Sequence, residues 1–433
     1  VKKMLPPLKA IYKLDGELKK SAQDYITLTE LMPNHYYYIN PDKSMSRWRV
    51  DPPVLGNPNV LRDYLLSIGW VPSNEATAWN FKKIKDRYGR YQKVKDSDGR
   101  YIRTTPKLPK ADAELEDLSK LSPNFRVVSE RVTRNHRYNN IKGFLKNIRP
   151  DGRIPMVVSG MTSTFRVKHA VVCNIPRVKS FFGMEMRGLF KAREGCVLVG
   201  CDAVNLEARI LAHYLGDDEF IHFLDTNDIH TYFFNVLKEY VSSRDIAKNT
   251  EYAFLYGAGD SKLGSLADLV TGRDLSEVGD EIRVLLRKRI PGLDKLLKQL
   301  EQHFDIHKAI PGIDGRVVEC RYKHAALNTA CQHAGAVLCK YTAVRADKWI
   351  DNIYLGNDNH PEVNTKLFKK YRRNDTKLVI FYHDEFQYET PVDLAHEIGK
   401  LSKLAYEWAS NHLKIKCLIT GDYKVGINWR ETH

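Results

Sequence analysis

No two cysteines in this chain are spaced as Cys-x-x-Cys. The seven that exist are scattered, with six between Cys173 and Cys339 and none in the first 172 residues. An odd, dispersed set excludes a disulfide framework and fits free thiols in a reducing compartment. Without paired ligands a structural zinc site is excluded as well. Also missing is any run of about 18 apolar residues, the length a membrane-crossing helix needs. No signal-peptide pattern opens the chain. A cytoplasmic location with no membrane partner is therefore expected. Internal repeats and low-complexity tracts are absent too, which excludes solenoids and disordered tracts. The first residue is Val1 rather than Met, which fits removal of an initiator Met or a processed or truncated product.

What is abundant is positive charge. The formal net charge is +15 on 433 residues, a length that supports two or three domains with cores of their own. A surplus of Lys and Arg on a folded chain points to a polyanionic partner such as nucleic acid, or to a basic surface that binds nothing. Charge speaks to association and not to fold.

Residues 1–60 hold several prolines and tyrosines and read as an extended, loop-rich lead-in. Residues 60–70 have helical apolar spacing and end at Gly69. Residues 87–103 alternate aromatic and basic around Asp98-Gly99, a hairpin turn signal; this hairpin either contacts a nucleic-acid backbone or is simply solvated. Residues 124–146 form a long basic helix, and Asp151-Gly152 opens a β segment through Ser159. The apolar run at 196–201 reads as a buried strand, followed by a helix from Asn205 to Tyr214. Further helices are expected over 242–256, stopping at Gly257 and Gly259, and over 280–304, interrupted at Pro291. Residues 377–389 read as two strands around a tight turn at His383-Asp384-Glu385.

Two carboxylates stand out in this layout. Asp202 sits where an apolar strand gives way to a helix, and Asp384 sits in a turn between two strands. Strand ends hold side chains rigidly at a cleft. Each Asp alone is the usual cap or turn residue. Brought together they would repel, unless divalent cations lie between them. Two such ions about 3.5–4 Å apart activate an attacking oxygen and stabilise a leaving one, and oxygen ligands suit magnesium.

Arg244, Lys248, Tyr252 and Tyr256 recur every four residues. On a helix each is rotated about 40° from the last, so the set forms one face about 18 Å long. Ser242 or Ser243 can cap its start and Gly257 its end. The cations match phosphate oxygens and the rings match sugar and base, as in a nucleoside triphosphate. Taken alone, the same face also fits a solvated basic end joined to an aromatic core end.

These residues together resemble the family A, DNA polymerase I-like, DNA polymerases. DAVNLEARILAH (202–213) resembles the family's motif A, RDIAKNTEYAFLYGAGD (244–260) its motif B and HDE (383–385) its motif C. The three follow in the family's order over about 180 residues. DIHT (228–231), HAALNTACQHAGA (324–336) and GINW (426–429) resemble the bacteriophage replicative branch, and the likeness extends from about residue 60 to the end. The resemblance implies an α+β right-hand fold: an antiparallel palm sheet, helical fingers and a partial thumb. It places the N-terminal lead-in and thumb at 1–150, the palm at 151–214 and 328–433, and the fingers at 215–327.

It also implies template-directed addition of deoxynucleotides to a primer 3′-hydroxyl by two-metal-ion catalysis, in phage-type replication within the host cytoplasm. Asp202 and Asp384, with the backbone carbonyl of Ala203, would bind two magnesium ions, and Glu385 would support them without being an essential ligand. Arg244, Lys248 and His230 would hold the triphosphate. Glu207 would act as a steric gate against the ribose 2′-hydroxyl. Tyr256 would stack in the insertion pocket and against the templating base. Tyr252, Phe or Tyr in the family, would weaken discrimination against dideoxynucleotides. Arg166, Asn328, Gln332 and His383 would contact the primer–template, using minor-groove acceptors that are nearly the same for every base pair.

The chain departs from the family in places. Phe165 stands where the family usually has Gly before the Arg matched to Arg166. Ala-Val-Asn follows Asp202 where bacterial enzymes have Tyr-Ser-Gln. No proofreading exonuclease is expected: its Asp-x-Glu should follow an apolar strand, whereas Asp112-Ala113-Glu114 lies in a charged helical stretch. The upstream thumb is short and carries no thioredoxin-binding insertion. Either the chain is a C-terminal fragment, or a separate exonuclease or processivity subunit supplies the rest. Three other functions fit parts of the pattern. Glu207 and His383-Asp384-Glu385 argue against a single-subunit RNA polymerase. A metal-dependent nuclease leaves the basic helix face without a role. A catalytically dead DNA-binding subunit would not need Asp202, Asp384, Arg244 and Lys248 intact.

Overall fold

The computed structural model describes residues 2–32, 35–50, 58–67, 69–72, 79–85, 91–98, 100, 102–108, 123–357 and 360–433. Asp112-Ala113-Glu114 and Gly99 of the expected hairpin turn lie outside them. The chain forms two compact units, Val1–Asn139 and Asn140–His433.

In the first unit, residues 2–50 are not the loop-rich lead-in expected from their prolines. Lys2–Leu8, Met45–Val50 and His35–Ile39 make an antiparallel sheet with Met45–Val50 in the centre. The helix Lys20–Leu31 accompanies it, and Ile11, Ala22, Tyr25 and Met45 form the buried centre. Pro6 and Pro7 occupy an edge strand, where a missing N–H breaks no ladder. The helix Pro58–Ser67 stops before Gly69, whose φ of +100° is left-handed. In the basic hairpin, the Asp96 N–H donates to the Arg100 carbonyl across the turn.

The second unit centres on a four-stranded antiparallel sheet, ordered Lys377–Tyr382, Glu385–Pro391, Cys196–Ala203, Gly421–Gly426. Cys196–Ala203 is central, which explains its unbroken apolar run: Val197, Val199, Cys201 and Ala203 enter one core and Leu198 the other. The helices Ala395–His412 and Ala326–Tyr354 belong to the first of these cores. Phe144, Met186, Tyr382 and Trp429 pack with Leu198 in the second.

Helices Leu206–Leu215 and Arg244–Leu255 form as expected; Ser243 caps the latter through the Ile246 N–H, and Gly257 follows it at φ +72°. The interrupted helix is two helices, Leu275–Arg289 and Leu293–His307, joined through Pro291 and Gly292. The β segment expected from Asp151 begins later, at Val157–Met161, because residues 149–153 close a turn in which Arg149 donates its N–H to the Arg153 carbonyl. Helices cluster apart from the antiparallel strands, so the class is α+β. Among the described residues no helix is long and apolar enough to cross a membrane, and all seven cysteines are unpaired.

Candidate active site

Asp202 is the penultimate residue of its strand, and the register sets it directly opposite Glu385 on one side and Asp422 on the other. Antiparallel partners of this kind have Cβ atoms about 4.5–5.5 Å apart. The turn joining the neighbouring strands places His383 and Asp384 beside the same sheet end. His383 holds a φ of +60°, a conformation that side-chain-bearing residues seldom adopt. Tyr406 helps fix this turn by donating its hydroxyl to the Asp384 carbonyl at 2.5 Å. Local strain of this sort persists where the surroundings over-determine it.

These residues open into a cleft of about 720 Å³. Ten of the residues singled out from sequence line it: Arg166, Asp202, Ala203, Glu207, His230, Lys248, Tyr252, Tyr256, His383 and Asp384. Arg244, Asn328, Gln332 and Glu385 do not. Asn328 and Gln332 stand one turn apart at the start of the helix Ala326–Tyr354. Arg177, Asn249, Asp422 and Lys424 also line the cleft and were missed. Asp422 and Lys424 alternate on one strand, a period-2 signal that could have marked them; Arg177 offers no comparable signal. A second cavity, about 570 Å³, contains none of the candidates; its buried Glu389 is neutralised by Arg153 and Arg193.

The acidic groups differ sharply in their partners. Glu385 is buried and saturated: it accepts from Trp429 Nε1 at 2.6 Å and from the Gln387 amide, and its Oε2 lies 2.8 Å from His433 Nδ1. Arg187, stacked on Trp429, stands behind it. Asp202 faces the cleft, where burial by the walls, then Asp384, then Glu385 push its carboxyl well above the usual carboxylate range. Among the described residues neither Asp202 nor Asp384 is in a salt bridge, and no cluster of three or more His, Cys, Asp or Glu forms a ready metal cage.. Crowded, repelling carboxylates beside the strand-end residue Ala203, which lines the same cleft, form an oxygen donor set that suits a hard cation. The donors present therefore fit magnesium.

The facing wall is equally specific. Tyr256 donates to Glu207 Oε1 at 2.5 Å, and Arg166 reaches the same oxygen at 3.4 Å. Burial raises the Glu207 carboxyl, while Tyr256 and Arg166 work against that rise. His230 Nδ1 lies 2.9 Å from the buried Glu251, which fixes the ring at the cleft edge. Lys248 sits 5.8 Å from the Tyr252 ring centre. Arg244 is held by Asp228 through two contacts, at 2.7 and 2.8 Å.

Phe165 explains the departure before Arg166. Its φ is +62°, the left-handed conformation for which Gly is the ordinary choice. Here the ring packs edge-on against His333, Arg316 lies over it, and Lys340 donates to the Phe165 carbonyl.

An antiparallel sheet presenting paired acids at its end, opposite a helix face of cations and aromatic rings, defines the class of site. The family model described as DNA polymerase family A matches residues 91–431. The chain belongs to that family. The DNA-directed DNA polymerases of Enterobacteria phage T3 and Escherichia phage T7 are each 29% identical to it, over 67% of this chain and 43% of theirs. That of Escherichia phage Phieco32 is 26% identical over 87% of this chain and 69% of its own. The chain thus spans less than half the length of the T3 and T7 proteins it matches. Among solved structures, the POL domain of Pol1 from M. smegmatis, in complex with DNA primer-template and dNTP, superposes with a TM-score of 0.65 at 18% identity. The match covers 89% of this chain and 62% of that one.

Proposed function

We propose that this chain is the polymerase portion of a phage-type replicative DNA polymerase, adding deoxynucleotides to a primer 3′-hydroxyl on a DNA template. The observation that carries this reading is the convergence of Asp202 and Asp384 with Lys248, Tyr252 and Tyr256 around one cleft. Residues 151–214 and 328–433 would form the palm, 215–327 the fingers, and 1–150 the lead-in and partial thumb. Asp202, Asp384 and the Ala203 carbonyl would hold two magnesium ions. Bound there, magnesium would lower the cost of forming the attacking oxyanion and of charge on the leaving oxygen.

The remaining roles belong to side chains. Lys248 and His230 would meet the triphosphate, with Arg244 joining once it leaves Asp228. Glu207, braced by Tyr256 and Arg166, would fill the space a 2′-hydroxyl needs. Asn328, Gln332, Arg166 and His383 would follow the primer–template. Glu385 would keep the motif C turn in place through Trp429 and His433. A separate exonuclease or processivity subunit is an expected further partner.

Primer extension by the purified chain tests this. Deoxynucleotides with magnesium should extend the primer. Asp202→Asn and Asp384→Asn should each lower the rate at least about a hundredfold, the several kcal/mol that metal-assisted charge stabilisation supplies. Extension with ribonucleotides alone, primer degradation, or DNA binding without turnover would each replace this reading by one of the alternatives.

A further inference from the structure

The sheet of residues 2–50 precedes the family match, which begins at residue 91. One of its faces is covered. Tyr25 of the helix Lys20–Leu31 meets the His35 ring and lies under the Arg47 guanidinium. Leu5, Leu8 and Ile39 join the same core.

Strand alternation sends the intervening residues to the opposite face. The register aligns Met4, Trp48 and Tyr36 across the three strands there, with Tyr38 paired to Ser46 beside them. Met4 is 61% exposed, Tyr36 43% and Tyr38 58%. Tyr36 lies nearly parallel to Trp48, at 13° and 6.1 Å between ring centres.

Buried aromatics would stabilise the unit; displayed in a row on an open sheet, they are surface to be covered. The net charge of the segment favours a polyanionic cover. Residues 1–50 carry nine Lys and Arg against five Asp and Glu. Lys43, exposed and left-handed at φ +62°, forms the turn at the Tyr38 end.

We infer that this face is a binding platform for single-stranded nucleic acid. Bases stack on flat aromatic rings regardless of sequence, while a cation at the rim such as Lys43 meets a phosphate. Tyr36 and Tyr38, two residues apart on one strand, offer ring platforms about 6.8 Å apart. A duplex hides its base faces and has nothing to stack there. The inference goes beyond the polymerase reading and does not rest on it.

The test uses the full chain and fluorescein-labelled oligo(dT)15, followed by anisotropy at low and moderate salt. The Tyr36→Ala/Tyr38→Ala double variant should weaken binding by about tenfold for each ring lost. Tyr36→Phe/Tyr38→Phe should bind like the parent, because the rings remain. Tyr36→Leu/Tyr38→Leu keeps bulk on the strand without a stacking surface and should bind like the Ala pair, with thermal melting showing both still folded. Arg166→Ala/Lys248→Ala, in the cleft, should leave a binding component that the tyrosine variants remove. Unchanged affinity in the Leu pair, or binding abolished by the cleft variant alone, would overturn the platform and leave the face to a protein partner.

Discussion

At the residue scale, Tyr252 is the most exposed to experiment. Its ring lies 6.0 Å from both His230 and Tyr256, inside the cleft. Burial, then the nearby Glu207 and Glu251 carboxylates, raise its hydroxyl, so it stays a neutral hydrogen-bonding group. In the proposed polymerase its hydroxyl would occupy space vacated when an incoming nucleotide lacks a 3′-hydroxyl. Tyr252→Phe should therefore increase discrimination against dideoxynucleotides, read as the dideoxy-to-deoxy incorporation ratio in primer extension. Most of the cleft was legible at this scale, because the chemistry concentrates in short contiguous strings: Asp202 to Glu207, Arg244 to Tyr256, His383 to Glu385. Arg177 was not, since it reaches the cleft only through loop placement, and the alternation of Asp422 and Lys424 shows a strand face without showing that strand pairing sets it beside Asp202. Phe165 shows the reverse situation: the odd residue was visible in sequence, but its physical reason, a left-handed backbone held by a packed ring, was not.

At the element scale, the helix Arg244–Leu255 owes its end to Gly257. A Cβ there would stand 2.9 Å from the His324 carbonyl oxygen, on a backbone already at φ +72°. Gly257→Ala should destabilise the protein by about 1 kcal/mol or more, measured as a lower Tm, and should disturb the placement of Tyr256. The helices Leu206–Leu215 and Arg244–Leu255 were found from sequence, whereas the short helices Asp218–Thr226 and Ile229–Leu237, though capped by Asp217 and Asp228, were not. The 29-residue helix Ala326–Tyr354 was not. It is buried on many sides, from Ala330 and Ala334 to Leu338 and Ile350, so no polar face marks its period. The sheet of residues 2–50 was missed for a related reason: with tyrosines on both faces of His35–Ile39, the alternation that betrays a strand is blurred.

At the scale of the whole molecule, the net charge of +15 should make association with primer–template DNA strongly salt-dependent. For six or more phosphate contacts, affinity should fall by roughly a thousandfold between about 50 and 200 mM salt, read from the slope of log K against log salt. Not all of that charge is on offer. Arg244 already grips Asp228, whose carboxyl that grip holds below its ordinary range. An arriving polyanion must displace an acid tethered to the same chain, which acts as a permanent rival at constant local dose. Weak, singly charged anions lose such a contest and dense phosphate chains can win it. A filter of this kind lets this one arginine ignore the many small anions around it.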